Sequence, residues 1–116
     1  MATKDLIEGA SSPENAYHYA REVIKGRWVE GEHVIAQDAQ WSYNYSRDIN
    51  DRFVKGEPVI AQSPHWAYYY ARNVIKGRFI LGEPYIHDDT FFSKKYFQLF
   101  KTEFTEQEKV LWLLRQ

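Results

Sequence analysis

"AYHYAREVIKGRW" at residues 16–28 returns as "AYYYARNVIKGRF" at residues 67–79, with a third version, "SYNYSRDINDRF", at residues 42–53 between them. Aligning Ala16, Ser42 and Ala67 superposes Tyr17, Tyr43 and Tyr68, then Tyr19, Tyr45 and Tyr70, then Arg21, Arg47 and Arg72. Copy two then lacks one residue. The match resumes at Arg27, Arg52 and Arg78, and runs through Trp28, Phe53 and Phe79 to Gly31–Glu32, Gly56–Glu57 and Gly82–Glu83. These coincidences define a unit of about 25 or 26 residues. Self-similarity on that scale marks a repeat architecture, in which no unit buries its apolar face alone and stacked neighbours do so together.

Within a unit the period is helical. Ala16, Tyr19, Ala20, Val23 and Ile24 fall at the offsets of an amphipathic stripe, and Ala67, Tyr70, Ala71, Val74 and Ile75 repeat it. Ser12–Pro13 and Ser63–Pro64 place a capping hydroxyl before a proline at the first helical position, and Asp38 holds the cap position in copy two. Gly26 and Gly77 are expected to take the left-handed conformation that ends a helix, with Asn50–Asp51 in that place in copy two. The segments that follow, "GEHVIAQ", "GEPVIAQ" and "GEPYIHD", read either as one or two helical turns opened by Pro58 and Pro84 or as extended linkers, because Val–Ile pairs suit strands. The nearness of the next cap favours the short helix.

The expected fold is therefore all-α: a small α-solenoid of about three repeats (12–37, 38–62 and 63–88), each a longer helix A and a short helix B, in one domain spanning 1–116. Residues 1–11 read as an N-terminal cap or half repeat, in which Leu6–Ile7 pack on the first helix A. Residues 89–116 read as a degenerate fourth unit, with Asp89, Ser93, Tyr96, Phe97 and Phe100 at repeat positions, followed by a capping helix. That last helix opens on a Thr105/Glu108 capping box, carries Val110, Leu111 and Leu114 as its apolar face, and ends near Arg115, which suits its negative pole.

Composition narrows the function classes. Fifteen basic residues against sixteen acidic ones leave a net charge of −1, too little positive charge to hold nucleic acid by bulk electrostatics. The chain has no cysteine, which excludes disulfides, thiol chemistry and Cys-based zinc sites. No stretch approaches the ~20 apolar residues of a membrane span, and the N-terminus lacks the apolar run of a signal peptide. A cytoplasmic protein is expected. Aromatic residues make up 17% of the chain. Each large ring buries roughly 150–250 Å², so rings are expected to supply much of the packing.

The phrase A-Y-x-Y-A-R-x-V-I-K-G-R-[WF]-x-x-G-E-P-x-I resembles a short tandem helical repeat of bacteriophage and large DNA virus proteins. The likeness covers about residues 12–88, and copy two departs from it at Ser46, Asn50 and Asp51. The resemblance implies a viral accessory protein, placed in the host cytoplasm, and transfers no catalytic role.

The residues themselves name no reaction. His18, His33, His65 and His87 occupy four different repeat positions, without an i, i+4 pair or HExxH spacing, and read as surface histidines; no metal and no cofactor are expected. Asp88–Asp89 and Glu30/Glu32 could serve as acid–base pairs. Asp89, however, already reads as a cap, and Glu32, Glu57 and Glu83 recur in every unit together with Arg27, Arg52 and Arg78. A catalytic group is needed once and a structural one in each unit, so these Glu–Arg pairs read as ties within and between units. No phosphate-cradling glycine motif or nucleophile elbow is present.

The candidate interface is the boundary of helix A: Tyr17 with Arg21, Tyr43 with Arg47, Tyr68 with Arg72, and Trp41 and Trp66 one position before the helical Ser42 and Ala67. Tyr, Trp and Arg dominate protein interfaces. The expected function is a non-enzymatic protein-binding module, extended by the viral resemblance to inhibition of a host or defence protein. An alternative is single-stranded nucleic acid binding on a Tyr/Arg ladder; a further one is an enzyme of unknown reaction. Stacked repeat ends could also join copies into a homo-oligomer. The competing structural reading is that the tyrosines pack helix against helix.

Overall fold

In this computed structural model, which describes residues 11–114, the chain is helical throughout, with no strand among the described residues. The helices are α1 (Pro13–Tyr19), α2 (Glu32–Ile35), α3 (Ala39–Ile49), α4 (Glu57–Ala61), α5 (Pro64–Tyr70), α6 (Glu83–His87), α7 (Thr90–Phe100) and α8 (Glu106–Leu114). The expected half unit at Leu6–Ile7 and the role given to Arg115 lie outside the described residues. Among these residues no helix is long and apolar enough to cross a membrane.

The long helices start where their caps sit. Ser12 Oγ accepts the Asn15 N–H at 3.0 Å, Asp38 Oδ1 the Trp41 N–H at 3.0 Å, Ser63 Oγ the Trp66 N–H at 3.4 Å, and Asp89 Oδ1 the Phe92 N–H at 2.8 Å. Each satisfies a donor that the first turn cannot bond internally. The segments after the stops are helical: α2, α4 and α6 each follow a 3₁₀ turn, at Val29–Gly31, Val54–Gly56 and Ile80–Gly82.

The stop of copy two lies at Asn50, within the expected Asn50–Asp51, while those of copies one and three differ from expectation. No described glycine has a positive φ; the left-handed residues are Lys25 (φ 61°), Asn50 (φ 56°) and Lys76 (φ 59°). In copies one, two and three the left-handed residue stands two positions before the arginine, one ahead of Gly26 and Gly77. The extra residue of copies one and three acts inside the helix. It widens the end of helix A into a π segment, Ala20–Ile24 after α1 and Ala71–Ile75 after α5. There Lys25 N–H reaches Ala20 O at 2.6 Å and Lys76 N–H reaches Ala71 O at 2.7 Å, across five residues. Copy two lacks that residue, and α3 runs as a regular helix to Asn50. One-residue insertions are commonly absorbed as π turns. A stripe counted at 3.6 residues per turn loses register there: Val23 and Ile24 are exposed, whereas Val74 and Ile75 are half-buried.

Gly31, Gly56 and Gly82 act through space, not backbone freedom. A Cβ on Gly31 would stand 2.2 Å from the Trp28 ring, on Gly56 2.6 Å from Phe53, and on Gly82 2.7 Å from Phe79. Each ring folds back over its own 3₁₀ turn. The small residues Ser42 and Ala67 of the preceding helix A crowd Gly56 and Gly82 from the other side, at 2.8 and 3.1 Å from the same added Cβ.

The last helix keeps its capping box: Thr105 Oγ1 accepts the Glu108 N–H at 3.1 Å and Glu108 Oε1 accepts the Thr105 N–H at 2.8 Å. Its expected apolar face does not pack. Val110, Leu111 and Leu114 are exposed and Trp112 is buried instead, its ring centroid 4.6 Å from His87, 5.5 Å from Tyr96 and 5.4 Å from Phe104. One indole anchors the helix where three aliphatic residues were expected to.

Candidate functional site

The residues between helices form one joint, repeated three times. Tyr45 Oη donates to Glu32 Oε2 at 2.7 Å and accepts the Trp28 N–H at 2.7 Å. Tyr70 does the same with Glu57 (2.5 Å) and Phe53 (2.9 Å), and Tyr96 with Glu83 (2.6 Å) and Phe79 (2.9 Å). The sequence offsets are 13 and 17 residues each time. The carboxylate is clamped from its other side by the arginine of its own copy: Arg27 at 3.1 Å, Arg52 at 2.8 and 2.9 Å, Arg78 at 2.7 and 2.8 Å. The Glu–Arg pairing expected from recurrence is present. The common tie between copies, however, is the tyrosine hydroxyl. Arginine crosses only where a further acid exists, from Arg27 to Asp51 and from Arg78 to Glu108.

The electrostatics follow from burial. Burial, then the neighbouring carboxylate, raises the Tyr45, Tyr70 and Tyr96 hydroxyls far above the ordinary tyrosine range, so they stay protonated donors. Burial alone would raise the Glu57 carboxyl, but hydrogen bonds from Arg52 and Tyr70 outweigh it and hold the group below its usual range.

The tyrosines of the candidate interface are packed. Tyr17, Tyr43 and Tyr68 are 2%, 5% and 5% exposed. Each meets an aromatic of the next copy: Tyr17 with Trp41 at 5.3 Å, Tyr43 with Trp66 at 5.3 Å, Tyr68 with Phe92 at 5.5 Å. Tyr17 Oη donates to Asp48 Oδ2, and Asn73 Nδ2 donates to Tyr43 Oη at 2.8 Å. Trp41 and Trp66 are half-buried, and Arg21, Arg47 and Arg72 are exposed. The rings thus point inward and the guanidinium groups outward, with the Arg47 guanidinium still over the Tyr43 ring at 5.9 Å. Arg47 is partly engaged, its Nε 3.2 Å from Asp48.

His87, expected at the surface, is buried, with Nε2 2.8 Å from the Trp112 carbonyl oxygen. It belongs to the anchoring of α8. Among the described residues no group of three or more His, Asp or Glu is placed to hold a metal ion.

A surface the repeat alignment overlooked lies on the 3₁₀ turns. Val29, Val54 and Ile80 follow the buried ring in each copy and are 56%, 69% and 63% exposed. Isolated exposed aliphatics are ordinary, but the same position in three successive copies is a pattern. Leu81 and Tyr85 extend it beside Ile80. The available signal was an aliphatic residue immediately after Trp28, Phe53 and Phe79. Two concavities flank this frame. One of about 300 Å³ lies between the end of α1 and α3, near Arg21 and Asp48; another of about 290 Å³ lies beneath α8 near Arg78 and Leu111. Comparison with protein-family models, with curated proteins and with solved structures finds no match for the chain.

Proposed function

We propose that the protein is a small α-solenoid of helical repeats that works by binding another protein, without catalysis. The observation that carries this reading is the row of exposed aliphatic residues Val29, Val54 and Ile80. Each stands on a turn fixed by a glycine, a buried ring and a Glu–Tyr joint. Repeats stacked through identical joints present such a row as one extended edge, which is how solenoids hold partners. The elongated molecule, 57 × 20 × 17 Å, suits that reading. A rigid edge also loses little conformational entropy on binding. The exposed Arg21, Arg47 and Arg72 add charge on the helix A side. Stacking of bases on Tyr17, Tyr43 and Tyr68 is disfavoured, because those rings are already packed. The resemblance to viral repeats extends the proposal to an accessory protein whose partner belongs to a host or to its defences.

The test compares immobilised wild type with a Val29→Glu, Val54→Glu, Ile80→Glu variant in a lysate of the source or its host. The reading predicts a protein that binds the wild type saturably and the variant at least tenfold more weakly, with unchanged helical circular dichroism. Equal capture by both proteins, or no saturable binding by either, would refute it.

A further inference from the structure

The concavity between the end of α1 and α3 has a composition that the packing does not use up. Its volume is about 300 Å³, at the lower end of the range that holds small ligands. The apolar part of its wall is half-buried Ile49 and exposed Gly26, with Ala20, Tyr17 and Tyr45 packed behind them. Three charged side chains, Arg21, Lys25 and Asp48, line it as well.

Asp48 is already satisfied: it accepts from Tyr17 Oη and, at 3.2 Å, from Arg47 Nε. Arg21 and Lys25 are exposed and make no ion pair among the described residues. The wall therefore combines a small apolar surface with two cations that are unpaired among the described residues. Lys25 has a left-handed backbone at the end of the π turn (φ 61°). π turns recur at ligand sites because they redirect side chains from the helical frame.

We infer that this concavity binds a small organic anion, a carboxylate or phosphomonoester on a compact apolar body. The anionic head meets Arg21 and Lys25, and the body lies against Ile49 and Gly26. This site is separate from the aliphatic edge and does not depend on a protein partner. Arg72 and Lys76 hold the same repeat positions in copy three, yet line neither this concavity, nor the one near Arg78 and Leu111, nor a further one formed by Tyr68, Lys95, Gln98 and Leu99. They provide a control within the same molecule.

The experiment is an amide chemical-shift titration of the full chain with phenyl phosphate, benzoate, inorganic phosphate and phenol. Phenyl phosphate or benzoate is expected to give saturable shifts centred on residues 17–26 and 45–49, at lower concentration than inorganic phosphate or phenol. Arg21→Gln with Lys25→Gln is expected to weaken binding about tenfold or more, as loss of charge-assisted hydrogen bonds does. Arg72→Gln with Lys76→Gln is expected to leave it within about twofold, because those side chains lie outside the concavity. No saturable shift with either aromatic anion, or an equal loss in both double variants, would overturn the inference. Val54→Glu is expected to leave the titration unchanged, which separates this result from the fate of the protein-binding edge.

Discussion

Replacing Tyr70 with Phe removes one oxygen and tests the joint directly. That oxygen donates to Glu57 at 2.5 Å and accepts the Phe53 N–H at 2.9 Å. Glu57 keeps its two bonds from Arg52, at 2.8 and 2.9 Å, so its charge stays paired. The Phe53 N–H, beside a ring that is 1% exposed, loses its acceptor. An unsatisfied buried donor costs about 1–3 kcal/mol, and a hydrogen bond to a charged group contributes about 1.5–3 kcal/mol. Part of each is recovered by relaxation, so the expected loss is about 2–4 kcal/mol, from those two ranges together. Tyr19 supplies the matched control. It holds the same repeat position and packs on Trp28 at 4.5 Å, but its hydroxyl makes no hydrogen bond among the described residues. Tyr19→Phe is expected to change stability by less than about 0.5 kcal/mol, as substitutions away from such networks do. Urea unfolding followed by circular dichroism measures both variants. If Tyr70→Phe costs no more than Tyr19→Phe, the hydroxyl is not the tie between copies and the reasoning fails.

Gly56→Ala is expected to destabilise by about 1–3 kcal/mol through overpacking, because its Cβ would stand 2.6 Å from Phe53 and 2.8 Å from Ser42 Cβ. Gly26→Ala meets nothing within 4 Å at a backbone without positive φ, so thermal melts should show it neutral or slightly stabilised. Lys76→Gly, at φ 59°, relieves a left-handed non-glycine residue and is expected to stabilise by up to about 1 kcal/mol in the same melts. Stability should also depend on pH at both ends. The Glu57 carboxyl is lowered in the folded state, so its contribution is present above the ordinary value near 4.3 and falls away as pH drops through the folded value. The Tyr45, Tyr70 and Tyr96 hydroxyls are raised, so their contribution is full below about pH 10 and declines above it as the unfolded chain's tyrosines ionise. Urea midpoints across pH 3–11 check both limbs.

How much of this was legible depended on whether a residue acts locally. The caps at Ser12, Asp38, Ser63 and Asp89, and the Thr105/Glu108 box, could be read because their partners lie three residues away. Recurrence also marked Glu32, Glu57 and Glu83 with their arginines as structural. The tyrosine partner of each glutamate was not legible, since a spacing of 13 residues across two helices belongs to no local period. The helix stop was placed at Asn50 in copy two but one residue late in copies one and three. Glycine is the usual left-handed residue, yet in these copies that conformation falls two positions before the arginine, onto Lys25, Asn50 and Lys76. In the candidate interface, the sequence left Tyr17, Tyr43 and Tyr68 open between a surface and helix packing, and their burial against an aromatic of the next copy agrees with packing.

The fourth copy shows which residues make the joint, because it lacks two of them. Aligning Phe104 and Glu108 with Phe79 and Glu83 puts Glu103 at the arginine position and Gln107 at the glycine position. A side chain at that glycine would enter the ring that folds back over the turn, at 2.2–2.7 Å in the three inner copies. The fourth turn accordingly does not form. Phe104 takes an extended conformation (φ −88°, ψ 142°), whereas Trp28, Phe53 and Phe79 have ψ of 86°, 81° and 84°. α8 then begins two residues before Glu108, and Glu108 is free to accept Arg78 Nη1 at 3.0 Å from the preceding copy. With glutamate in place of arginine, the local partner that would clamp Glu108 for a further tyrosine is also gone. Restoring Gly at position 107 and Arg at position 103 would remove both obstacles, so the inner geometry is set by those two residues, together with the ring and the glutamate that all four copies share.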